Sequence, residues 1–153
     1  MAHSDTPSEL QSHLGYWLRT VSNAVSQSFA QKVEASGVTV AEWVVLRVLY
    51  DQDGIAQSEL ARRMGMTKGA ISKLTDRLVG KGLVTRKSDP HDKRAYMLVL
   101  QRAGRQLVPR LAQLADENDA AFFGALTREQ RRQLETALRK IAADRALINI
   151  PTT

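Results

Sequence analysis

Apolar residues recur at helical spacing over most of this chain, and one short segment has the composition of strands. Leu10, Leu14, Trp17, Val21, Val25 and Phe29 form a single stripe, which predicts a long helix from Ser8 to about Ala35, ended by Ser36-Gly37. Thr39-Val-Ala-Glu42 has the form of a capping box and opens a second helix through Trp43, Val44, Val45, Leu46, Val48 and Leu49. That helix is apolar on most of its faces and is expected at the centre of the fold. Asp51 to Gly54 reads as a turn, and Ile55 as a short strand. A helix from about Gln57 ends at Met64-Gly65, because Gly accepts the left-handed conformation that follows a last turn. Thr67 is then an N-cap for the next helix, and Met66 and Ile71 are placed to form a hydrophobic staple. Ile71, Leu74 and Leu78 mark its buried face, and Lys68, Gly69, Ser72, Lys73 and Asp76 its open one.

Leu83 to Lys87 and Tyr96 to Leu100 have strand composition, with a turn from Asp89-Pro90 and a tip at Asp92-Lys93-Arg94. A helix follows from about Arg102 to Gly124, with Leu107, Leu111, Leu114 and Ala115 on one side. Pro109 lies inside it and should kink rather than end it, since the stripe continues. A second capping box, Thr127 to Gln130, opens a last helix with Leu134, Leu138, Ile141, Ala142 and Leu147. Residues 1–7 are polar and expected to fray, and 148–153 are apolar, then irregular. The expected fold is mainly α with a small β-wing, a winged helix-turn-helix at 39–100 flanked by helices at 8–35 and 102–148. At 153 residues the chain is one domain with room for a core.

Charge sharpens this picture. Residues 55–100 hold ten Lys or Arg and four acids, while the rest of the chain is neutral, so the whole formal charge of +6 falls on the winged segment. A basic patch confined to one module is the footprint of a polyanion partner. A short helix that is basic at its N-terminal end suits end-first entry into a major groove. A hairpin carrying Lys and Arg can reach a backbone or a narrow minor groove. Asp92 would repel phosphate there and is expected to hold Arg94 or the loop amides instead.

Glu59-Leu-Ala-x-x-Met-Gly-Met66, Ile71-Ser-Lys-Leu-x-Asp-Arg-Leu78, Lys81-Gly-Leu-Val84 and the wing Asp92-x-Arg94 together resemble the MarR family of bacterial transcription regulators, over about residues 10–147. Ala56 and Gln101 depart from the pattern, standing where capping Thr residues are common. Each loosens a helix start by about 1 kcal/mol. The resemblance implies a DNA-binding regulator, a repressor released from its operator by a small aromatic or anionic effector. It also implies that Arg94 enters the minor groove while Asp92 braces the loop. The candidate DNA contacts are Thr67, Lys68, Gly69, Ser72, Lys73, Arg77, Arg86, Lys87, Asp92, Lys93 and Arg94. Lys68, Ser72 and Lys73 are placed to reach base edges, and Arg77 to grip phosphate.

The terminal stripes are longer than the winged core can cover, which predicts a two-fold homodimer through residues 8–30 and 105–150 and a pseudo-palindromic operator in double-stranded DNA, with half-sites one helical turn apart. A monomer whose helices wrap a single core is the competing arrangement. In the resembled family the effector lies between the dimerisation helices and the winged module. Tyr16, Trp17 and Arg19 on the first helix, with Trp43 and Arg47 on the second, are the candidates for a flat apolar slot with a cation for a carboxylate. Both Trp residues read equally well as core or interface anchors.

Other classes find less support. The three His residues (3, 13, 91) are scattered, and no His-x-x-x-His, Gly-rich phosphate loop or nucleophile with a nearby base appears. No cofactor, metal or catalytic site is expected. The chain has no Cys, which excludes thiolate metal sites and thiol-based sensing. No apolar run suits a signal peptide or a membrane span, so a cytoplasmic location is expected. The alternative to a regulator is an architectural protein that binds DNA without sequence preference and without an effector.

Overall fold

The computed structural model describes residues 6–153, so His3 and most of the polar N-terminus lie outside the described residues. The described residues form six α-helices and a three-stranded antiparallel sheet: α1 (Leu14–Ala35), α2 (Val40–Tyr50), β1 (Ile55–Ala56), α3 (Gln57–Met64), α4 (Lys68–Gly80), β2 (Val84–Asp89), β3 (Asp92–Leu100), α5 (Arg102–Phe123) and α6 (Arg128–Asp144). The first helix starts later than its stripe suggests. A 3-10 turn at Leu10–Ser12 precedes it, and His13 is its extended N-cap.

One core holds the winged portion together. Val44, Val45, Leu46 and Leu49 of α2 are buried among Leu60 and Met64 of α3, Ile71, Leu74 and Leu78 of α4, Val84 and Leu98 of the sheet, and Val108 and Leu111 of α5. The central position expected for α2 is therefore observed. The stripe of α1 divides in two. Its C-terminal part meets this core through Val33 and Phe29, whose ring stands edge-on to Trp43 at 6.3 Å. Its N-terminal part faces outward, with Leu14 88% exposed and Trp17 half exposed. Leu134, Leu138 and Ile141 of α6 are also exposed, and no residue of α6 is buried.

Two contacts set where α5 lies. A β-carbon on Gly104 would overlap the carbonyl oxygen of Leu83, so only Gly lets the start of α5 approach the backbone just before β2 so closely. Further along, buried Asn118 donates to the Val25 carbonyl (3.2 Å) and accepts from Lys32 Nζ (3.1 Å), pinning α5 to α1. Helix α5 continues through Pro109.

The capping residues behave unequally. Thr67 accepts from the Ala70 amide, and Thr127 and Gln130 complete a reciprocal box. Ala56 has no side-chain acceptor to cap with, and Gln101 provides no side-chain cap either. At Thr39 only half the expected box forms. Its hydroxyl accepts from the Glu42 amide, but the Glu42 carboxylate turns inward, 1% exposed, to take Lys81 Nζ at 2.8 and 3.1 Å. A buried carboxylate demands a cation more strongly than a backbone amide demands a cap. The pair ties the start of α2 to the end of α4.

Candidate nucleic-acid interface

Helix α4 is oriented by its own sequence. Gly65, at φ 62°, ends α3 in the left-handed conformation, and Thr67 restarts the chain as a helix after a short turn. Ile71, Leu74 and Leu78 anchor one face in the core, together with Thr75, whose hydroxyl donates to the Ile71 carbonyl at 2.8 Å. Thr67, Lys68, Gly69, Lys73 and Arg77 are consequently exposed, and Ser72 is half-buried at the edge. A β-carbon at Gly69 would meet nothing, so internal packing does not require glycine there.

The hairpin differs from expectation at its tip. β2 and β3 pair in register from Val84–Leu100 to Ser88–Tyr96, and the ladder then shifts, so that Asp89 faces Asp92. Only Pro90 and His91 connect the strands, and Asp92, Lys93 and Arg94 begin β3 rather than forming a free loop. The extra residues on β3 form an irregularity, which turns the local backbone and re-aims side chains. Asp89 accepts from the His91 amide (2.8 Å) and Asp92 from the Arg94 amide (3.0 Å). Asp92 thus holds the backbone of Arg94, one of the two roles its sequence position suggested. Lys87, Lys93 and Arg94 are exposed.

The ten cations of residues 55–100 fall into two groups. Glu59 takes both Arg62 (2.6 Å) and Arg63 (3.1 Å) on α3, and these hydrogen bonds push its carboxyl down to about 2. Lys81 serves Glu42. Arg86 is spent internally as well. Its guanidinium reaches Asp76 at 2.7 Å, donates to the Ser72 carbonyl at 3.2 Å and to Gln57 Oε1 at 3.3 Å, and lies over the Tyr96 ring at 5.8 Å. With 23% of its side chain exposed, it clamps β2 to both helices of the helix-turn-helix. Lys68, Lys73, Arg77, Lys87, Lys93 and Arg94 remain. Among the described residues none of these six is paired with a carboxylate, and all lie on α4 or the hairpin.

These are the elements of a winged helix-turn-helix, and the comparisons agree. A model of the MarR family matches residues 36–95. A protein named for regulating transcription of the hcr operon in Thauera aromatica is 31% identical over 129 residues, which is 84% of this chain and 78% of that one. The chain belongs to the MarR family. A solved structure of Staphylococcus aureus MepR bound to DNA is 28% identical and superposes with a TM-score of 0.77, over 86% of this chain and 98% of that one. Bordetella bronchiseptica BpsR, whose structure concerns regulation of its DNA binding by 6-hydroxynicotinic acid, is 26% identical with a TM-score of 0.78, over 90% of this chain and 98% of that one. As a MarR-family member the chain is a DNA-binding transcription regulator. No helix among its described residues is long and apolar enough to cross a membrane.

The residues considered for an effector do not converge. Trp43 packs half-buried against Phe29 at the core, whereas Trp17 donates to the Gln11 carbonyl (2.9 Å) and stands edge-on to Tyr16 at 5.1 Å. Arg47 pairs with Asp51 at 2.7 Å. Within one chain, therefore, the two Trp side chains have separate neighbours. An open groove of about 850 Å³ runs along the start of α1, lined by Leu10, Leu14, His13, Tyr16, Arg19 and Asn23 among others. Of the candidates only Tyr16 and Arg19 line it. Leu10 and Leu14 of its lining belong to the first helix's apolar stripe, but periodicity does not show that this end of the stripe is left uncovered by the core.

Proposed function

We propose that this MarR-family protein binds a pseudo-palindromic operator as a two-fold dimer and represses transcription from it until an aromatic acid releases it. The concentration of six unpaired cations on α4 and the hairpin carries the DNA reading. Lys68, Ser72 and Lys73 read base edges from the N-terminal face of α4, with Lys donating to guanine O6 or N7. Thr67 fixes the helix start, and Gly69 leaves room for the groove wall. Arg77 and Lys87 grip phosphate, and Lys93 and Arg94 engage the backbone and minor groove, with Asp92 holding the Arg94 amide. Arg86 is a brace in this scheme, not a phosphate contact.

The dimer is supported by the exposed apolar faces at both ends of the chain, including Leu14, Leu18, Leu138 and Ile141. Large apolar residues exposed at helical spacing mark an association face when they join in one patch. Two-fold symmetry then sets the α4 helices to half-sites about 34 Å apart. The groove along α1 offers Tyr16 for stacking and Arg19 for a carboxylate, and the aromatic acid named for BpsR is of that chemistry. A ligand there releases DNA only by preferring a spacing that DNA does not fit.

A footprint on the intergenic DNA beside the gene tests the central reading. One protected palindrome is expected, and uniform coverage would make the protein architectural. Sedimentation of the protein alone tests the dimer, with Leu138→Glu expected to yield monomer. Salicylate or 6-hydroxynicotinic acid should quench Trp17 fluorescence and release the protected fragment. Release that persists unchanged in Arg19→Ala would place the effector elsewhere.

A further inference from the structure

Beyond α6 the chain turns back onto the helix-turn-helix. The Leu147 amide donates to the Ala142 carbonyl and the Ala146 amide to that of Ala143, a closure that puts Ala146 in the left-handed region at φ 50°. Alanine occupies that region at a cost of about 1 kcal/mol, which the two closing hydrogen bonds and contacts made by the tail beyond it offset. Two such contacts are present. The Ile150 amide donates to the Arg63 carbonyl at 3.0 Å, while its side chain packs half-buried against the central core. Arg63 is in the last turn of α3, where carbonyls lack helical partners, so the tail supplies a cap from outside. Asn149 lies over Gly65 so closely that a β-carbon there would overlap its side-chain amide.

Both contacts fall at the turn between α3 and α4. Helix α6 itself makes no extensive contact with any other element of its own chain, and its one ion pair to α5, Arg131–Asp119, is long at 3.7 Å. It is therefore held mainly at its ends, by the elbow after α5 and by the tail on α3. We propose that Asn149 and Ile150 are positioning residues for DNA reading, tying α6 to the turn that aims the recognition helix. The inference rests on the reading of the protein as an operator-binding dimer. It adds that the aim of α4 depends on a tail about seventy residues beyond that helix in sequence.

The tie is tested with Ile150→Asp, which places a charge against the core, and Ile150→Val, which keeps the contact. Well below the unfolding temperature, Ile150→Asp should remain dimeric. It should bind the footprinted fragment about three- to thirtyfold more weakly, the range that such indirect coupling spans. Random duplex of equal length should be bound within about twofold of wild type, because its affinity comes from phosphate contacts that do not need the aim of α4. Ile150→Val should restore discrimination. Independently of DNA, amide exchange at Gly65 and Met66 should be about tenfold faster in Ile150→Asp. Equal exchange in the two proteins overturns the tie whether or not DNA is bound. Parallel weakening toward both DNAs reduces the tail to a part of the fold and overturns it too. Wild-type protein that fails to distinguish the fragment from random duplex refutes the operator reading, and the exchange result then judges the tie alone.

Discussion

Arg86→Met separates a brace from a phosphate contact. Methionine fills much of the same space and cannot donate, so the hydrogen bonds to Ser72 and Gln57 and the pair with Asp76 all go. Asp76 is 63% exposed, so its pair with Arg86 is worth only about 0.5–1 kcal/mol. The charged donor on the Ser72 carbonyl adds about 1–1.5 kcal/mol, and the longer contact to Gln57 adds little. The loss should be about 2 kcal/mol, lowering the unfolding temperature by about 4–8 °C for a chain of this size. Affinity for the operator should fall by no more than about thirtyfold, the factor that 2 kcal/mol allows. The salt dependence is decisive. Anisotropy titrations across a KCl series should give the same slope of log K against log salt as wild type, because a brace releases no counterion. A lost phosphate contact would flatten it by about 0.9. Asp76→Asn sharpens the contrast, since the brace requires weaker binding although a negative charge near DNA is removed. A flattened slope with unchanged stability, or tighter binding by Asp76→Asn, would refute the brace.

Three further outcomes are expected. Lys73→Ala should cost about 1–3 kcal/mol toward the operator and relax preference at one base pair, which competition with single-base operator variants checks, whereas Arg94→Ala should flatten the salt slope by about one unit across the same KCl series. Lys81→Met should destabilise the protein by about 2–3 kcal/mol, below the full cost of orphaning a buried carboxylate because the Lys81 side chain is itself 40% exposed, and Glu42→Gln should recover part of the loss in urea unfolding. Glu59 titrates at about 2 when folded, so its bonds to Arg62 and Arg63 add stability above its unfolded value near 4.5. That stability is lost as pH falls toward 2, and the difference between wild type and Glu59→Gln should vanish over the same window.

Local chemistry announces local structure in this chain, and the departures arise where a distant residue makes the stronger claim. Gly65 and Thr67 place the turn before α4 because the left-handed cap and the hydroxyl acceptor act within three residues. The helical stripes locate the core for the same reason. Glu42 obeys half of its local rule and then leaves it, since Lys81 offers a buried carboxylate more than the Thr39 amide can. Asn118, Gly104 and the Asn149–Gly65 contact carry no periodic signal at all, each being one polar or small residue meeting a backbone far away in sequence. The DNA surface shows the same division. Counting charges assigns the basic patch to residues 55–100, but a count treats Arg86 and Arg94 alike. What distinguishes them is the fold, which brings Asp76, Ser72 and Gln57 around one guanidinium and leaves the other to solvent. Glu59 and Glu42 withdraw three more cations in the same manner. The cations left on α4 and the hairpin are those for which the described residues offer no carboxylate. A phosphate can replace water at such a charge without first breaking an internal pair, and on that ground the surface is proposed for DNA.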